Sequence, residues 1–415
     1  MVHRKRGAFQ NPAGAKSHSA KTRMVGAVGR TGAGGREVVM MVAMVRIPVK
    51  TGSRSYDAMI EHGLLARAGE ALHEVLGRVQ PVFVITVPPV YRRWANTLLP
   101  SLESAGFSPR VVQMRDGERF KRLSTLETLA ESLLKLGADR TAAVVAFGGG
   151  VAGDIAGMLA SVYMRGVKLV QIPTTVQAQL DAAIGGKTGV NLKSGKNLLG
   201  TFYQPEVVLI DPGVLATLAD REFRAGMYEA LKCGIIGNRG LFDRLCRSSI
   251  RSLKQDRELL TWVIRESVGL KAQVVSADEK ETGLRRVLNY GHTLGHALET
   301  ATFYRHFLHG EAVAWGMIAA AEVAEEIEFS TDGTCDRVRD AVLAWGALPG
   351  VTLTTARAMS LVRSDKKTES GVMNFVLAKE IGKVEIVNNV PESAIARALG
   401  EIRRLSRGDE KHTSR

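Results

Sequence analysis

Cysteine is scarce in this chain. Only Cys233, Cys246 and Cys335 occur in 415 residues, and none stands in C-x-x-C spacing. That excludes a disulfide framework and a structural cysteine–zinc site, and it suits a reducing, cytoplasmic setting. No apolar run reaches about 18 residues without a charge, so no transmembrane helix and no membrane partner are expected. A secretory-type apolar segment near the N-terminus is missing too, and no internal repeat is found. Acids are nearly absent from residues 1–40, where eight Lys/Arg face Glu37 alone. The net charge of +14 therefore draws +7 from this Gly/Ala-rich arm, which reads as disordered. Three explanations stand for it: an over-long start, since Met40, Met41 and Met44 lie just before ordered-looking sequence; a targeting peptide; or a basic interaction arm. An anionic small-molecule substrate explains the remaining basic charge as well as nucleic acid does.

With 45% hydrophobic and 24% charged residues, the chain has the composition of a globular protein of about two domains. From Met44 the pattern is α/β. Strands are expected at 44–52, 81–87, 110–115, 142–147, 167–173 and 206–212, and helices at 57–78 and 124–136. Strands alternating with helices imply a mostly parallel, Rossmann-like sheet with ligands at the strand C-terminal ends. After about residue 219 helices dominate, among them an amphipathic one at 257–276. Two strands (373–378, 383–387) and a helix (391–404) follow. The expected division is a basic extension at 1–43, an α/β domain at 44–219, a mainly helical domain at 220–404 and a polar tail at 405–415, with a cleft between the two domains.

Several constellations carry chemistry. His292 and His296 stand at i, i+4 and share a helix face; His309, before Gly310 and Glu311, can bring a third imidazole. With Glu229 these make a ligand set suited to a catalytic zinc with an open position. The strand at 142–147 runs into Gly148-Gly149-Gly150, where glycines admit a phosphate to backbone N–H groups at a helix start; the G-x-G-x-x-G spacing is lacking, and Asp154 reads equally as a helix cap. Lys187 and Lys196 sit in glycine- and asparagine-rich loops beside few acids, a pattern for an anion, with Asp181 as the acid of that segment and Arg165 as a further anion candidate. Glu229 and Lys232 are i, i+3 neighbours that read as a functional or a plain surface pair; Lys271 and Arg285 are similarly open, whereas Asn289 is harder to place on a solvated face.

Taken in order, DGERFK (116–121), GGGVAGD (148–154), YMRG (163–166), LDAAIGGKTGVN (180–191), GKNLLGTFYQP (195–205), GMYEALK (226–232), the run from Leu270 to Glu299, HGEAVAWG (309–316) and DKK (365–367) resemble the 3-dehydroquinate synthases over about residues 44–400. The resemblance implies a dehydroquinate synthase-like fold and an NAD- and zinc-dependent homodimer, with cobalt as a possible substitute metal. It further implies conversion of 3-deoxy-D-arabino-heptulosonate 7-phosphate, an anionic phosphorylated seven-carbon keto acid, to 3-dehydroquinate and phosphate. The implied steps are transient oxidation by NAD, phosphate elimination, reduction, ring opening and aldol closure. The metal ligands it implies are Glu229, His292 and His309, which moves His296 to the substrate phosphate with Lys187, Asn289 and Lys366, and Arg165 from a partner subunit. Lys271, Arg285 and Asn197 would hold the carboxylate and nearby hydroxyls, and Asp181 and Lys232 the ring hydroxyls. NAD would lie against Asp116, Gly117, Glu118, Lys121, Gly149, Gly150, Val151, Asp154, Thr174, Thr175, Lys187, Lys196 and Thr217. Two departures stand out: Ala182 and Ala183 replace the usual serines, and Thr86-Val87-Pro88-Pro89 lacks the acid that often follows the first core strand. Sister sugar-phosphate cyclases, metal-dependent polyol dehydrogenases and a basic binding protein on a dead scaffold are the alternatives. The intact GGKTGVN, Arg285–Asn289 and lysine positions argue against each.

Overall fold

A computed structural model describes residues 44–77, 80–366 and 374–408, without the side chains of 364–366. The basic extension 1–43, the Lys366 side chain, the first residue of the strand expected at 373–378 and the tail from 409 lie outside the described residues. The described residues fall into two compact units, 44–174 with 182–214, and 175–181 with 215–408.

The first unit is built on strands β1 (Val45–Lys50), β2 (Ser55–Ile60), β3 (Val82–Thr86), β4 (Pro109–Gln113), β5 (Ala143–Gly148), β6 (Lys168–Pro173), β7 (Lys187–Leu192), β8 (Gly195–Phe202) and β9 (Val207–Ile210). Its helices are α1 (Ala68–Leu76), α2 (Pro88–Ser104), α3 (Leu123–Lys135) and α4 (Gly150–Val162). Among the described residues one sheet runs β1-β2-β9-β6-β5-β3-β4, parallel throughout except for the β1–β2 edge hairpin. Its centre is apolar because it is covered on both faces. Phe83, Ile85, Val144 and Ala146 pack on one side with Leu129, Leu133, Ile155 and Leu159 of α3 and α4; the alternate residues Val82, Val84, Val145 and Phe147 are equally buried. The sheet order reverses between β3 and β5, so the ends of these two strands form the switch point where ligands of such sheets bind.

Two expectations change here. The helix expected at 57–78 begins only at Ala68, because Ser55–Ile60 adds to the sheet edge beside β9 and Gly63, at φ +88°, breaks the chain after it. The glycine- and asparagine-rich loops of 187–200 are the antiparallel hairpin β7–β8, so Lys187 and Lys196 stand on strands.

The second unit comprises α5 (Asp220–Gly237), α6 (Arg239–Cys246), α7 (Ile250–Gln255), α8 (Arg257–Ala277), α9 (His292–Ala301), α10 (His309–Glu326), α11 (Thr334–Leu343), α12 (Thr355–Lys366), α13 (Glu392–Ser406) and the hairpin β10 (Asn374–Glu380) and β11 (Lys383–Asn388). Helix α10 is its axis. It is buried without interruption from Gly310 to Ala321 and carries small residues on most faces, as a fully enclosed helix should. A Cβ on Gly310 would lie 1.7 Å from the Ala225 carbonyl oxygen, and one on Gly316 would lie 1.9 Å from that of Gly291. Glycine at these positions lets α5 and the start of α9 approach α10 backbone to backbone.

Candidate active site

Close helix packing gathers the chemistry of the second unit. Helix α5 supplies Glu229 and Lys232, α9 supplies His292 and His296, and α10 opens with His309. Glu229 is 1% exposed and Lys232 2%, with Lys232 Nζ 2.5 Å from Glu229 Oε2. The surface-pair alternative is thereby removed. His309 Nε2 lies 3.4 Å and His292 Nε2 3.9 Å from Glu229 Oε1. The outer ring nitrogens are anchored: His309 Nδ1 is 3.1 Å from Glu299 Oε2, and His292 Nδ1 is 3.1 Å from the Tyr290 carbonyl oxygen. His296 is exposed, its ring centroid 5.3 Å from that of His292. His306 turns elsewhere, to the Gly350 carbonyl.

Buried ion pairs of this kind gain little net stability, and strongly shifted groups gathered in one place mark a candidate site. Burial opposes ionisation of Glu229, but Lys232 and then His309 outweigh it and hold the carboxyl well below its usual range. Burial likewise disfavours the Lys232 ammonium, yet Glu229 and Asp181 raise its pKa, so it stays charged. His309, between two carboxylates, is raised to about 10 despite burial, through Glu229 and Glu299. Asp181 is pushed up by burial and pulled down further by Lys271 and Lys232, to about 2. Lys271 Nζ donates to the Asp181 carboxylate and, at 2.6 Å, to its backbone oxygen. Arg285, 1% exposed, donates from Nη1 to the Glu279 carbonyl at 2.5 Å, and Asn289 Nδ2 donates to Glu281 Oε1 at 2.8 Å.

The donor set fits a divalent metal. Glu229, His292 and His309 offer ligand atoms within 4.8 Å of one another, and both Glu229 oxygens are buried without a well-formed hydrogen bond. Donors about 2.0–2.1 Å from a tetrahedral ion stand about 3.3 Å apart, close to the separation between Glu229 and His309.

In the first unit a polar network gathers at the carboxyl end of β5. Lys121, 4% exposed, reaches Asp154 Oδ2 and Asn197 Oδ1, each at 2.5 Å. Asn191 donates to Glu118 Oε1 at 2.6 Å and accepts from the Asn197 N–H at 2.9 Å; Lys196 Nζ stands 3.9 Å from Glu118. Asp154 lies on α4 facing Lys121, which is more than a cap. Gly149 precedes α4, with Gly150 and Val151 opening it, and the Thr174 N–H donates to the Gly148 carbonyl at 2.9 Å. Thr174 Oγ1 and Thr86 Oγ1 are buried without hydrogen-bond partners, at the ends of β6 and β3. A glycine turn at a helix N-terminus, flanked by orphaned hydroxyls at a switch point, fits a dinucleotide. Asp116 and Lys187 are exposed, and Gly117 is half-buried at φ +107°. Arg165 is exposed and left-handed at φ +69°. In the second unit Thr175 Oγ1 accepts from the Ala178 N–H at 3.2 Å, and Thr217 is exposed.

Family models for the N-terminal and C-terminal parts of 3-dehydroquinate synthase match residues 111–225 and 226–368. The chain belongs to the 3-dehydroquinate synthase family. It is 49% identical to the 3-dehydroquinate synthase of Koribacter versatilis, over 88% of this chain and 99% of that one. It is 44% identical to that of Gloeobacter violaceus, over 87% and 100%. Among solved structures, 2-epi-5-epi-valiolone synthase from Streptomyces hygroscopicus subsp. jinggangensis, with NAD+ and Zn2+ bound, superposes with a TM-score of 0.78 at 31% identity, over 85% of this chain and 98% of that one. A 2-deoxy-scyllo-inosose synthase complexed with carbaglucose-6-phosphate, NAD+ and Co2+ gives 0.73 at 25% identity, over 86% and 99%.

Three residues of these constellations lie inside the quoted motifs but receive no role from the sequence: Glu299, Glu311 as a structural group, and Asn191. Glu299 had a usable signal. It stands seven residues after His292 and three after His296, on their helix face.

Proposed function

We propose that this chain, as a cytoplasmic homodimer, converts 3-deoxy-D-arabino-heptulosonate 7-phosphate to 3-dehydroquinate and phosphate, using NAD and a zinc or cobalt ion. The observation that carries the reading is the convergence of Glu229, His292 and His309 beside the buried pair Glu229–Lys232 and the half-buried pair Asp181–Lys271. Three free cysteines, two of them buried, support the reducing compartment.

When bound at Glu229, His292 and His309, the metal supplies Lewis acidity to substrate hydroxyls. Glu118, Lys121, Asp154 and Thr174 of the first unit would hold NAD, which would supply reversible hydride transfer without net consumption. The remaining work falls to side chains. Lys232, kept an ammonium by Glu229 and Asp181, donates to a ring hydroxyl and offsets negative charge developing on that oxygen. Asp181, ionised at neutral pH, accepts from a neighbouring hydroxyl and fixes the ring's rotation. Lys271 and Arg285, a pair of buried cations, hold the substrate carboxylate. His296, Asn289 and Lys187 serve the phosphate, with Arg165 arriving from the partner subunit. Asn197 meets a hydroxyl or the carboxylate. A proton lost beside the oxidised carbon can pass to the departing phosphate, which is why a dedicated strong base is not required among these residues.

The test follows phosphate, dehydroquinate and NADH together in purified protein given the seven-carbon keto-acid phosphate and NAD. Phosphate and product without net NADH, lost on chelation and restored by zinc, are expected. Turnover of a hexose or heptose phosphate instead would assign a sister cyclase. Accumulating NADH with a simple polyol would assign a dehydrogenase.

A further inference from the structure

We propose that Glu299 is a positioning residue: its carboxylate holds His309 in the tautomer and orientation that bind the metal, and so sets the affinity of the centre. The inference rests on the reading of Glu229, His292 and His309 as metal ligands. Glu299 is 3% exposed on α9, a place where a carboxylate is costly unless it is satisfied. Its Oε2 lies 3.1 Å from His309 Nδ1, while the opposite nitrogen of that ring, Nε2, faces Glu229 Oε1 at 3.4 Å. A hydrogen bond at one imidazole nitrogen decides which tautomer the other presents. Donation from Nδ1–H to Glu299 leaves the lone pair on Nε2, on the Glu229 side. The carboxylate also raises the basicity of that ligand. His292 is held differently, by the neutral carbonyl of Tyr290 at 3.1 Å. The two imidazoles therefore lean on acceptors of different charge, and His309 depends more on its support.

A rival role for Glu299 is as ligand to a second ion. His296, Glu299 and His309 also offer ligand atoms within 4.8 Å of one another. With Nε2 committed to the first ion, that would require His309 to lose its Nδ1 proton and bridge two cations as an imidazolate. The third member, His296, is exposed. Positioning requires neither, and it uses the hydrogen bond that is present.

The experiment measures cobalt affinity of the metal-free full chain by chelator competition, together with the visible spectrum of the bound cobalt, for wild type, E299Q, E299L and H309Q. E299Q should weaken cobalt binding about tenfold and E299L toward a hundredfold, with shifted cobalt bands. The metal-free melting temperature of E299Q should stay within about 3 °C of wild type. A folded E299Q whose affinity lies within about twofold of wild type, with the wild-type spectrum, overturns the role. H309Q separates the two readings. If it loses cobalt while E299Q does not, positioning alone fails; if it binds cobalt like wild type, the metal reading fails and the proposal with it. Should the Glu299 variants not fold, imidazole nitrogen NMR of the zinc-loaded wild type decides. Ligation through Nε2 with a proton on Nδ1 is expected, and ligation through Nδ1 refutes it.

Discussion

Replacing Gly310 by alanine tests whether backbone contact between α5 and α10 builds the metal centre. The new Cβ would stand 1.7 Å from the Ala225 carbonyl oxygen. Ordinary C···O contacts are about 3.3–3.6 Å, so the helices must part by at least about 1.6 Å. Ala225 is one helical turn before Glu229, and His309 immediately precedes Gly310, so the displacement falls on both proposed ligands. Glu229 Oε1 and His309 Nε2 are 3.4 Å apart; adding the displacement takes them to about 5 Å. Two donors at about 2.05 Å from one ion can be no more than about 4.1 Å apart, so rotamer changes alone must recover the difference. Overpacking should cost about 1–3 kcal/mol in urea unfolding of the metal-free protein. Cobalt affinity should fall at least tenfold by chelator competition. The sign is diagnostic, because helix propensity alone would make alanine stabilising by up to ~1 kcal/mol. Gly400, on α13 with nothing within 4 Å of its would-be Cβ, is the control. G400A should be neutral or stabilising. A G310A protein with wild-type stability and cobalt affinity would refute the account of how these helices are held.

Asp181 has a folded pKa of about 2 against an ordinary 3.8, so its contribution to stability is present above about pH 4 and lost as pH falls toward 2. D181N should reduce the fall in unfolding free energy between about pH 5 and pH 3 by about 1 kcal/mol; an unchanged slope sinks the assignment. Arg221 donates to the fully buried Glu311 from Nε at 2.7 Å and from Nη2 at 2.8 Å, tying the start of α5 to that of α10. R221M should cost roughly 1–3 kcal/mol in unfolding, the lower end reflecting Arg221's own exposure, and a loss under about 0.5 kcal/mol would deny the tie. K121M, which strips Asp154 and Asn197 of a shared cation, should raise the NAD dissociation constant about tenfold in a fluorescence titration while leaving cobalt affinity unchanged. Equal losses of both ligands would argue against separate sites.

The parallel core was legible because strands enclosed on both faces must be apolar along their whole length, and VFVIT and AVVAFG satisfy that without reference to any partner. Helix α8 was legible by the same kind of local rule, its stripe at 257–276 agreeing with Arg257–Ala277. Ser55–Ile60 was not; it lies between β1, its hairpin partner, and β9, a partner more than 140 residues away. Nor was the β7–β8 hairpin, whose second strand is largely exposed and shows no alternation. Helix α2 has no counterpart among the expected helices, although its opening Pro88-Pro89 suits the first turn of a helix. In the site, i, i+3 spacing made Glu229 and Lys232 neighbours but could not say that both are enclosed. Joining Glu229 to His309 across 80 residues required the motifs or the fold. Glu299 was hidden by its ordinariness, one glutamate on an amphipathic helix, until the ring it faces was in place.

All three proposed metal ligands belong to the second unit, and the glycine turn with its Lys121–Asp154 network belongs to the first. On the proposed assignment the metal ligands and most of the nucleotide contacts lie on separate pieces of chain, Thr175 and Thr217 being the exceptions. In a growing polypeptide the nucleotide segment is finished before Glu229 is even synthesised, whereas the metal must wait for His309. On that assignment the residues that would meet the nucleotide all precede the first metal ligand in the order of synthesis, and the last ligand, His309, follows 80 residues after Glu229.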